Sequence, residues 1–158
     1  MALRVLLALL MALLAPTAAH ASVISTGSNG ASISIPQSKF TKEVKVKVSG
    51  RNFDETVGIY LAYCVVPKKG AAPSPCGGGV NKSGTGEASY WISSNPPPYG
   101  EGLSIAYAPG GRFTEVVAIT RKIGKFDCRK VKCAITVRSD HLHEGDRSHD
   151  IYIPISIK

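Results

Sequence analysis

The chain has 158 residues, of which 44% are hydrophobic, 16 are glycine and 10 are proline. This length suits one domain with its own core, the apolar content excludes intrinsic disorder, and the many glycines and prolines exclude a long helical bundle. The formal net charge of +8 at pH 7 favours acidic partners.

The first 21 residues have the pattern of an export signal. Arg4 gives a positive start, residues 5–14 form an unbroken apolar run, and residues 19–21 (Ala-His-Ala) match a cleavage site. The alternative, a membrane anchor, needs a longer apolar stretch, and no later run of about 18 apolar residues predicts a membrane span. We therefore expect residues 1–21 to be removed and residues 22–158 to fold as one domain. That domain is expected to be secreted or loosely held at the cell envelope.

After a serine- and glycine-rich lead, short segments of alternating character recur between turn signals. In residues 43–49, for example, valines alternate with Lys45 and Lys47, as in a strand with one face in the core and one in water. The predicted strands cover residues 31–36, 43–49, 57–66, 87–92, 113–120, 131–138 and 150–158. These seven strands, without a convincing helix or an internal repeat, predict an all-β antiparallel sandwich.

Proline marks two further features of this pattern. Residues 95–111 are rich in proline and glycine and are predicted to form a loop. Pro154 has no amide hydrogen to donate to a sheet ladder, so we expect the last strand to be an edge or to contain a bulge there.

All four cysteines, Cys64, Cys76, Cys128 and Cys133, follow the signal. An even number in an oxidising compartment predicts two disulfides. Four cysteines can be connected in three ways, and the spacing favours the connectivity with two local bonds, Cys64 with Cys76 and Cys128 with Cys133. The alternative is a four-cysteine zinc site, which the absence of any C-x-x-C pair disfavours.

The segment 57–66 is apolar on both of its faces. The odd-numbered residues suit the core, but the even-numbered residues are apolar as well, where a wet face would be polar. We expect this second face to be covered by a loop (67–80 or 95–111) or by a ligand, with residues 131–138 paired beside it. Together they predict a trough with an apolar floor and a cationic end. Its predicted ligand-binding residues are Tyr60, Ala62, Cys64, Val66, Ala134, Thr136 and Arg138.

Residues 140–150 contain three histidines, His141, His143 and His149, and four acidic residues. Histidines could bind a transition metal, but this spacing matches no established motif. We interpret the segment as a polar hairpin loop in which Asp146-Arg147-Ser148 fixes the turn through side-chain-to-backbone hydrogen bonds. No metal and no cofactor are expected.

Basic residues fall into two groups that suit acidic polymers, nucleic acid or anionic surfaces. One comprises Arg121, Lys122, Lys125, Arg129, Lys130 and Lys132, and the other comprises Lys39, Lys42, Lys45, Lys47 and Arg51. Aromatic residues do not alternate with these bases, which argues against a platform for single-stranded nucleic acid.

The cysteine-bearing segments resemble the neocarzinostatin apoprotein family. The matching residues are Tyr60-Leu61-Ala62-Tyr63-Cys64, Ser74-Pro75-Cys76 and Phe126-Asp127-Cys128 through Cys133, followed by an alternating strand and Ser139-Asp140. The resemblance spans most of residues 31–157. It implies a seven-stranded immunoglobulin-like sandwich of secreted actinobacterial type, with two local disulfides and a cleft on one sheet for a hydrophobic ligand. The chain is more similar still to a subgroup of actinobacterial surface proteins that share its GIY…C…PSPC, WIS…PYG and DRS…D…P stretches.

Three departures from that family argue against its enediyne chromophore as the ligand. Val66 stands where the carriers have a large aromatic residue, Ala134 stands where they have a polar amide, and this chain is basic where they are acidic.

Enzyme motifs such as G-x-S-x-G, H-E-x-x-H and a phosphate-binding glycine loop are absent from the sequence. We therefore predict a secreted, monomeric, non-enzymatic protein that sequesters a small apolar ligand on the open face of its central sheet. The alternative is a basic cell-envelope module that binds acidic polymers, nucleic acid or another protein. Binding through charge would weaken steeply with salt, whereas binding in an apolar cleft would not.

Overall fold

The computed structural model describes residues 21–77 and 89–158, so the predicted signal residues 1–20 lie outside it. The strands are β1 (Val23–Thr26), β2 (Ser32–Ile35), β3 (Lys39–Phe40), β4 (Val44–Arg51), β5 (Ile59–Val65), β6 (Ser89–Ile92), β7 (Phe113–Ile119), β8 (Lys122–Ile123), β9 (Phe126–Asp127), β10 (Cys133–Ser139) and β11 (Ile151–Ile157). Two 3₁₀ turns, Pro98–Gly100 and His141–His143, are the helical elements of the described ranges.

The strands form two sheets and a small hairpin. The first sheet has the order β1-β2-β4-β7, the second, or central, sheet has the order β3-β11-β10-β5-β6, and β8 pairs with β9. Neighbours are antiparallel apart from the short parallel pair of β3 and β11. The all-β class predicted from the alternating pattern is confirmed. In the described ranges, no helix has the length and apolar character to cross a membrane.

Each predicted strand corresponds to an observed one, although residues 87 and 88 of the fourth lie outside the described ranges. Sequence reasoning missed β1, which lies in the predicted serine- and glycine-rich lead, and the two-residue strands β3, β8 and β9. Strand β1 is an edge strand whose Ile24 is 53% exposed, and it is held by its antiparallel pairing with β2. The formation of β1 therefore depends more on its pairing with β2 than on the pattern of its own residues.

The core lies between the two sheets and follows the predicted alternation. On β4, Val46 and Val48 are buried while Lys45 and Lys47 are exposed. The central sheet contributes buried inward side chains from three neighbouring strands: Leu61, Tyr63, Ile135, Val137, Ile151, Ile153, Ile155 and Ile157. Because side chains alternate between the faces of a strand, the same strands also place a second set of residues on the outer face.

Strand β11 is an edge at Pro154, as its missing amide hydrogen predicts. The amides of Ser156 and Lys158 point away from β10 and donate to the carbonyls of Ser38 and Phe40 at 2.9 and 3.0 Å. The backbone nitrogen of Pro154 also points away from β10, because it lies two residues before Ser156, but strand β3 pairs only with Ser156 and Ile157. The proline therefore stands where the ladder offers no acceptor.

Both predicted disulfides are confirmed, and no described cysteine is free, which excludes the zinc alternative. Cys64–Cys76 joins β5 to a neighbouring extended segment, where the Val65 amide donates to Pro75 at 3.0 Å and the Gly77 amide donates to Tyr63 at 2.6 Å. Because β6 pairs with only the first part of β5, residues 75–77 take its place along the rest of that strand.

We expect both disulfides to stabilise the fold, the longer loop more. Replacing Cys128 and Cys133 (separation 5) with alanine should lower the free energy of unfolding by about 2 kcal/mol. Replacing Cys64 and Cys76 (separation 12) should lower it by about 3 kcal/mol. Urea unfolding of the two double variants measures both values, and an unchanged midpoint for either pair would contradict this view of the fold.

Candidate functional site: the outer face of the central sheet

The register of β5 and β10 places the predicted trough residues on one face. Cys64 lies opposite Ala134, Ala62 opposite Thr136, and Tyr60 opposite Arg138. Val66 follows directly, and its amide donates to the carbonyl of Lys132 at 2.9 Å. The structure thus brings together residues that are about 70 positions apart in sequence.

The middle of this face is covered. Ala62, Cys64, Ala134 and Thr136 are between 0% and 4% exposed. The hydroxyl of Thr136 donates to the Ala62 carbonyl at 3.4 Å and contacts Cys64 Sγ at 3.2 Å. A second apolar face therefore does require a cover, as its composition predicts. These four side chains form a buried floor and not an open cleft.

The two loops predicted as cover contact different parts of this face. The 67–80 loop brings Cys76 against Cys64 through the disulfide. In the 95–111 loop, Gly100 lies so close to Trp91 that a Cβ at this position would overlap the indole ring. Glycine at position 100 therefore lets the backbone pack directly on the tryptophan.

One end of the face is lined by aromatic rings, of which Trp91 is buried (4% exposed) and the others reach solvent. We call this the aromatic end and define it as Tyr60, Trp91, Tyr99, Arg138 and His141. Ring centroids lie 5.0 Å apart for Trp91 and His141, and 6.4 Å and 6.5 Å apart for Trp91 with Tyr60 and with Tyr99. Tyr99 is 61% exposed, so this end faces solvent.

His141 connects two of these rings by hydrogen bonds. Its Nδ1 lies 2.7 Å from the Tyr60 hydroxyl and its Nε2 lies 2.8 Å from the Tyr99 hydroxyl. A neutral imidazole has one donor and one acceptor nitrogen, and a tyrosine hydroxyl can take either role. The pair of bonds is therefore compatible with both protonation states of the histidine, and it keeps Tyr99 against the cluster.

Asp140 holds the aromatic end from beneath. Its side chain is fully buried, and its carboxylate accepts hydrogen bonds from the Trp91 indole and the Leu142 amide, both at 3.0 Å. Its own amide donates to the Gly58 carbonyl at 2.9 Å. A Cβ on Gly58 would overlap the carboxylate, so the glycine leaves the space that Asp140 fills. A buried carboxylate needs such partners because leaving water is otherwise very costly.

Charge at the aromatic end comes from Arg138, whose guanidinium carbon lies 5.0 Å from the centre of the Tyr60 ring. This is a cation–π arrangement. Burial raises the pKa of the Tyr60 hydroxyl, Asp140 raises it further, and Arg138 acts in the opposite direction. The phenol is therefore neutral at neutral pH, and Arg138 gives the rim its positive charge.

The three histidines of residues 140–150 do not converge. His141 bonds to two tyrosines, His143 Nδ1 lies 3.6 Å from Asp140, and His149 lies against Asp146 at 3.0 Å. No cluster of three metal-binding side chains is present in the described ranges.

Asp146 and Ser148 fix the turn in this loop, as predicted. The Ser148 amide donates to Asp146 at 2.8 Å, and the bonds from Ser148 lower the pKa of the Asp146 carboxyl to about 2. Ser139, Ser148 and Asp146 all contact the same atom of His149, Nδ1. A catalytic triad needs its serine and aspartate on opposite nitrogens of the histidine, so this group lacks that geometry.

Part of the basic group at 121–132 is engaged in the fold. Arg129 donates to both carboxylate oxygens of Asp127 at 2.8 and 2.7 Å. Arg121 donates to the carbonyls of Lys158 and Thr41 at 2.8 and 3.1 Å. These two arginines therefore serve the fold, whereas Lys47 and Arg51 on β4 point to solvent.

Sequence reasoning identified Tyr60 and Arg138 but missed Trp91, Tyr99 and His141. The sequence feature that could have pointed to Trp91 is its place in a predicted short strand, but the sequence does not show which strand pairs with it. Once β6 is paired with β5, Trp91 lies opposite Tyr60 on the covered face.

Comparison with known proteins finds one similarity of fold. The solved structure of macromomycin, a neocarzinostatin-family apoprotein, superposes with a TM-score of 0.51 at 12% sequence identity, covering 81% of this chain and 99% of that chain. No family model and no curated protein matches the sequence. The likeness shows a shared fold and agrees with the resemblance of the cysteine-bearing segments.

We expect Gly58→Ala to disrupt the aromatic end. The added Cβ would displace the Asp140 carboxylate from the Trp91 indole, which should lower the free energy of unfolding by about 2–4 kcal/mol. Trp91 is the single tryptophan, so its fluorescence should shift to the red.

Gly145→Ala is the matched control, because a Cβ there meets nothing within 4 Å. It should change stability by less than about 0.5 kcal/mol. If Gly58→Ala is as stable as the control and leaves the tryptophan emission unchanged, the role given to Asp140 is wrong.

Proposed function

We propose that this is a secreted, non-enzymatic binding protein that holds a small, flat, apolar anion at the aromatic end. The observation that carries the proposal is the arrangement of the Tyr60, Tyr99 and His141 rings at one accessible patch, packed against the buried indole of Trp91, with Arg138 at the rim. Rings supply stacking surface for a flat ligand, and a guanidinium supplies a planar partner for a carboxylate or phenolate.

The chemistry of these side chains favours binding over catalysis. The cluster offers ring faces, two hydroxyls already bonded to His141, and one cation. Passive sequestration needs nothing more, because apolar surface removed from water and one charge-assisted hydrogen bond can hold a ligand without a chemical step.

The energy available is sufficient for a modest affinity. Covering about 200 Å² of apolar ligand surface contributes about 5 kcal/mol before the costs of association. The rings are already held by His141 and Asp140, so little side-chain freedom remains to be lost on binding. A dissociation constant of tens of micromolar, about 6 kcal/mol, is consistent with these terms.

The deeper residues of the predicted site take a supporting role in this proposal. Ala62, Cys64, Ala134 and Thr136 form the buried floor, and Val66 lies beyond it. The ligand then contacts Tyr60 and Arg138 rather than the whole length of the trough.

Two defined probes of the same shape test the proposal: 2-naphthoate, which is anionic, and 2-naphthamide, which is neutral. We expect calorimetry of residues 22–158 to show one site for 2-naphthoate, at about 10–100 µM. Arg138→Gln should weaken 2-naphthoate about tenfold and 2-naphthamide much less, since only the anion loses its partner. Tyr99→Ala should weaken both.

Lys69→Gln is the charge-matched control, because Lys69 is exposed and lies outside the aromatic end. It should leave both affinities unchanged. The proposal is overturned if the wild type binds neither probe, or if Arg138→Gln and Lys69→Gln reduce the affinity for 2-naphthoate equally.

A further inference from the structure

A cleft of about 530 Å³ lies on the first sheet, on the other side of the sandwich from the aromatic end. It is formed where β2, β4 and β7 meet residues 108–112. Its lining combines three hydroxyl residues and two arginines with small and apolar residues: Ser34, Ser49, Thr114, Arg51 and Arg112, together with Gly50, Ala108 and Phe113. The aromatic end contributes no residue to it.

A row of hydroxyls crosses the floor of this cleft. Ser34 pairs with Ser49 on the next strand, and Ser49 pairs with Thr114 on the one after. Ser49 Oγ lies 3.4 Å from Thr114 Oγ1, and Ser34 Oγ lies 3.5 Å from the Ser49 carbonyl. Both contacts are long, so these hydroxyls keep capacity for a stronger partner.

Two arginines stand together at one end of the row. Gly50 of β4 pairs with Phe113 of β7. Arg51, which follows Gly50, and Arg112, which precedes Phe113, therefore lie side by side, and both are exposed. Arg112 uses its Nε to bond the Pro109 carbonyl at 2.8 Å. Within the described residues, neither guanidinium forms an ion pair. Like charges side by side are unfavourable, and a bound anion would relieve that repulsion.

The wall that carries Arg112 is held in place. Ala108 and Arg112 exchange backbone hydrogen bonds at 2.7 and 3.0 Å. Gly111 has φ +59°, and a Cβ there would overlap the backbone of Phe53. The nearby carboxylate of Glu55 accepts the amides of Gly110 and Gly111 at 2.8 Å each, so its Oε1 is occupied by the loop.

We propose that this cleft binds the acidic groups of an anionic polysaccharide. Two guanidinium groups match the paired oxygens of a carboxylate or sulfate, and the hydroxyl row can exchange hydrogen bonds with sugar hydroxyls. Lys47 lies on the same exposed face of β4, about 13 Å from Arg51 along the strand, which extends the positive charge beyond one anionic group. Nucleic acid is disfavoured because the aromatic residue of the cleft, Phe113, is only 6% exposed and offers no ring for a base to stack on.

The test uses two acidic polymers, polygalacturonate and dextran sulfate, with neutral dextran as the uncharged comparison. We expect residues 22–158 to bind both acidic polymers, or the carboxylated one alone if the site selects carboxylate, and not dextran. Arg51→Gln with Arg112→Gln should weaken binding at least about tenfold. Lys68→Gln with Lys69→Gln removes the same charge from an exposed loop and should change the affinity less than about twofold.

A conservative substitution separates site geometry from charge. Arg112→Lys keeps the charge but loses the planar fork, so its affinity should fall between those of the wild type and the double glutamine variant. Arg138→Gln, which acts at the aromatic end, should leave polymer binding unchanged. Thermal unfolding of each variant verifies that the fold is intact.

Three results would overturn the proposal. One is that neither acidic polymer binds. Another is an equal loss in the arginine and lysine double variants, which would indicate net charge alone. The third is tighter binding of single-stranded DNA that depends on Arg51 and Arg112, which would assign the cleft to nucleic acid.

Discussion

The buried carboxylate of Asp140 is the constraint on which the geometry of the aromatic end depends. It lies at the end of β10, starts the 3₁₀ turn His141–His143 by accepting the Leu142 amide, and accepts the indole hydrogen of Trp91 from β6. Gly58 leaves the space for it just before β5. Three strands of the central sheet therefore meet at one group, and a buried carboxylate tolerates little displacement because it depends on its hydrogen bonds.

The positions of the aromatic rings follow from that group. Since Asp140 fixes Trp91 and the start of the turn, His141 is placed over the indole with its two nitrogens toward Tyr60 and Tyr99. Further along the same face, the Cys64–Cys76 disulfide and the small residues Ala62 and Ala134 complete a buried floor. The outer face of the sheet thus has a buried middle and an aromatic end that is partly exposed to solvent. A ligand could contact this face only at the aromatic end.

Local patterns in the sequence predicted much of the fold. Period-two alternation located the long strands because a half-buried strand has that period, and short spacings favoured the two disulfides. The apolar second face of 57–66 also predicted a cover correctly. The pattern did not predict β1, whose residues Val-Ile-Ser-Thr carry little signal in isolation, or the two-residue strands, which exist through their neighbours.

The aromatic end was only half predictable for a physical reason. Tyr60 and Arg138 lie on long strands whose faces could be assigned from the sequence. Trp91 meets Asp140 across 49 residues, and Tyr99 meets His141 across 42. Such contacts depend on strand register and loop conformation, which periodicity does not determine. The same limit explains why His141 was considered as a metal ligand and was found between two tyrosine hydroxyls.

The indole resonance of Trp91 gives the most direct test of the claim that ligand binds at the aromatic end. The chain has a single tryptophan, so a ¹⁵N spectrum contains one indole signal with no assignment ambiguity. We expect this signal to move saturably as 2-naphthoate is added, with the same dissociation constant that calorimetry gives, while it remains protected from hydrogen exchange by Asp140. An indole signal that does not move when calorimetry shows the protein to be saturated would contradict it.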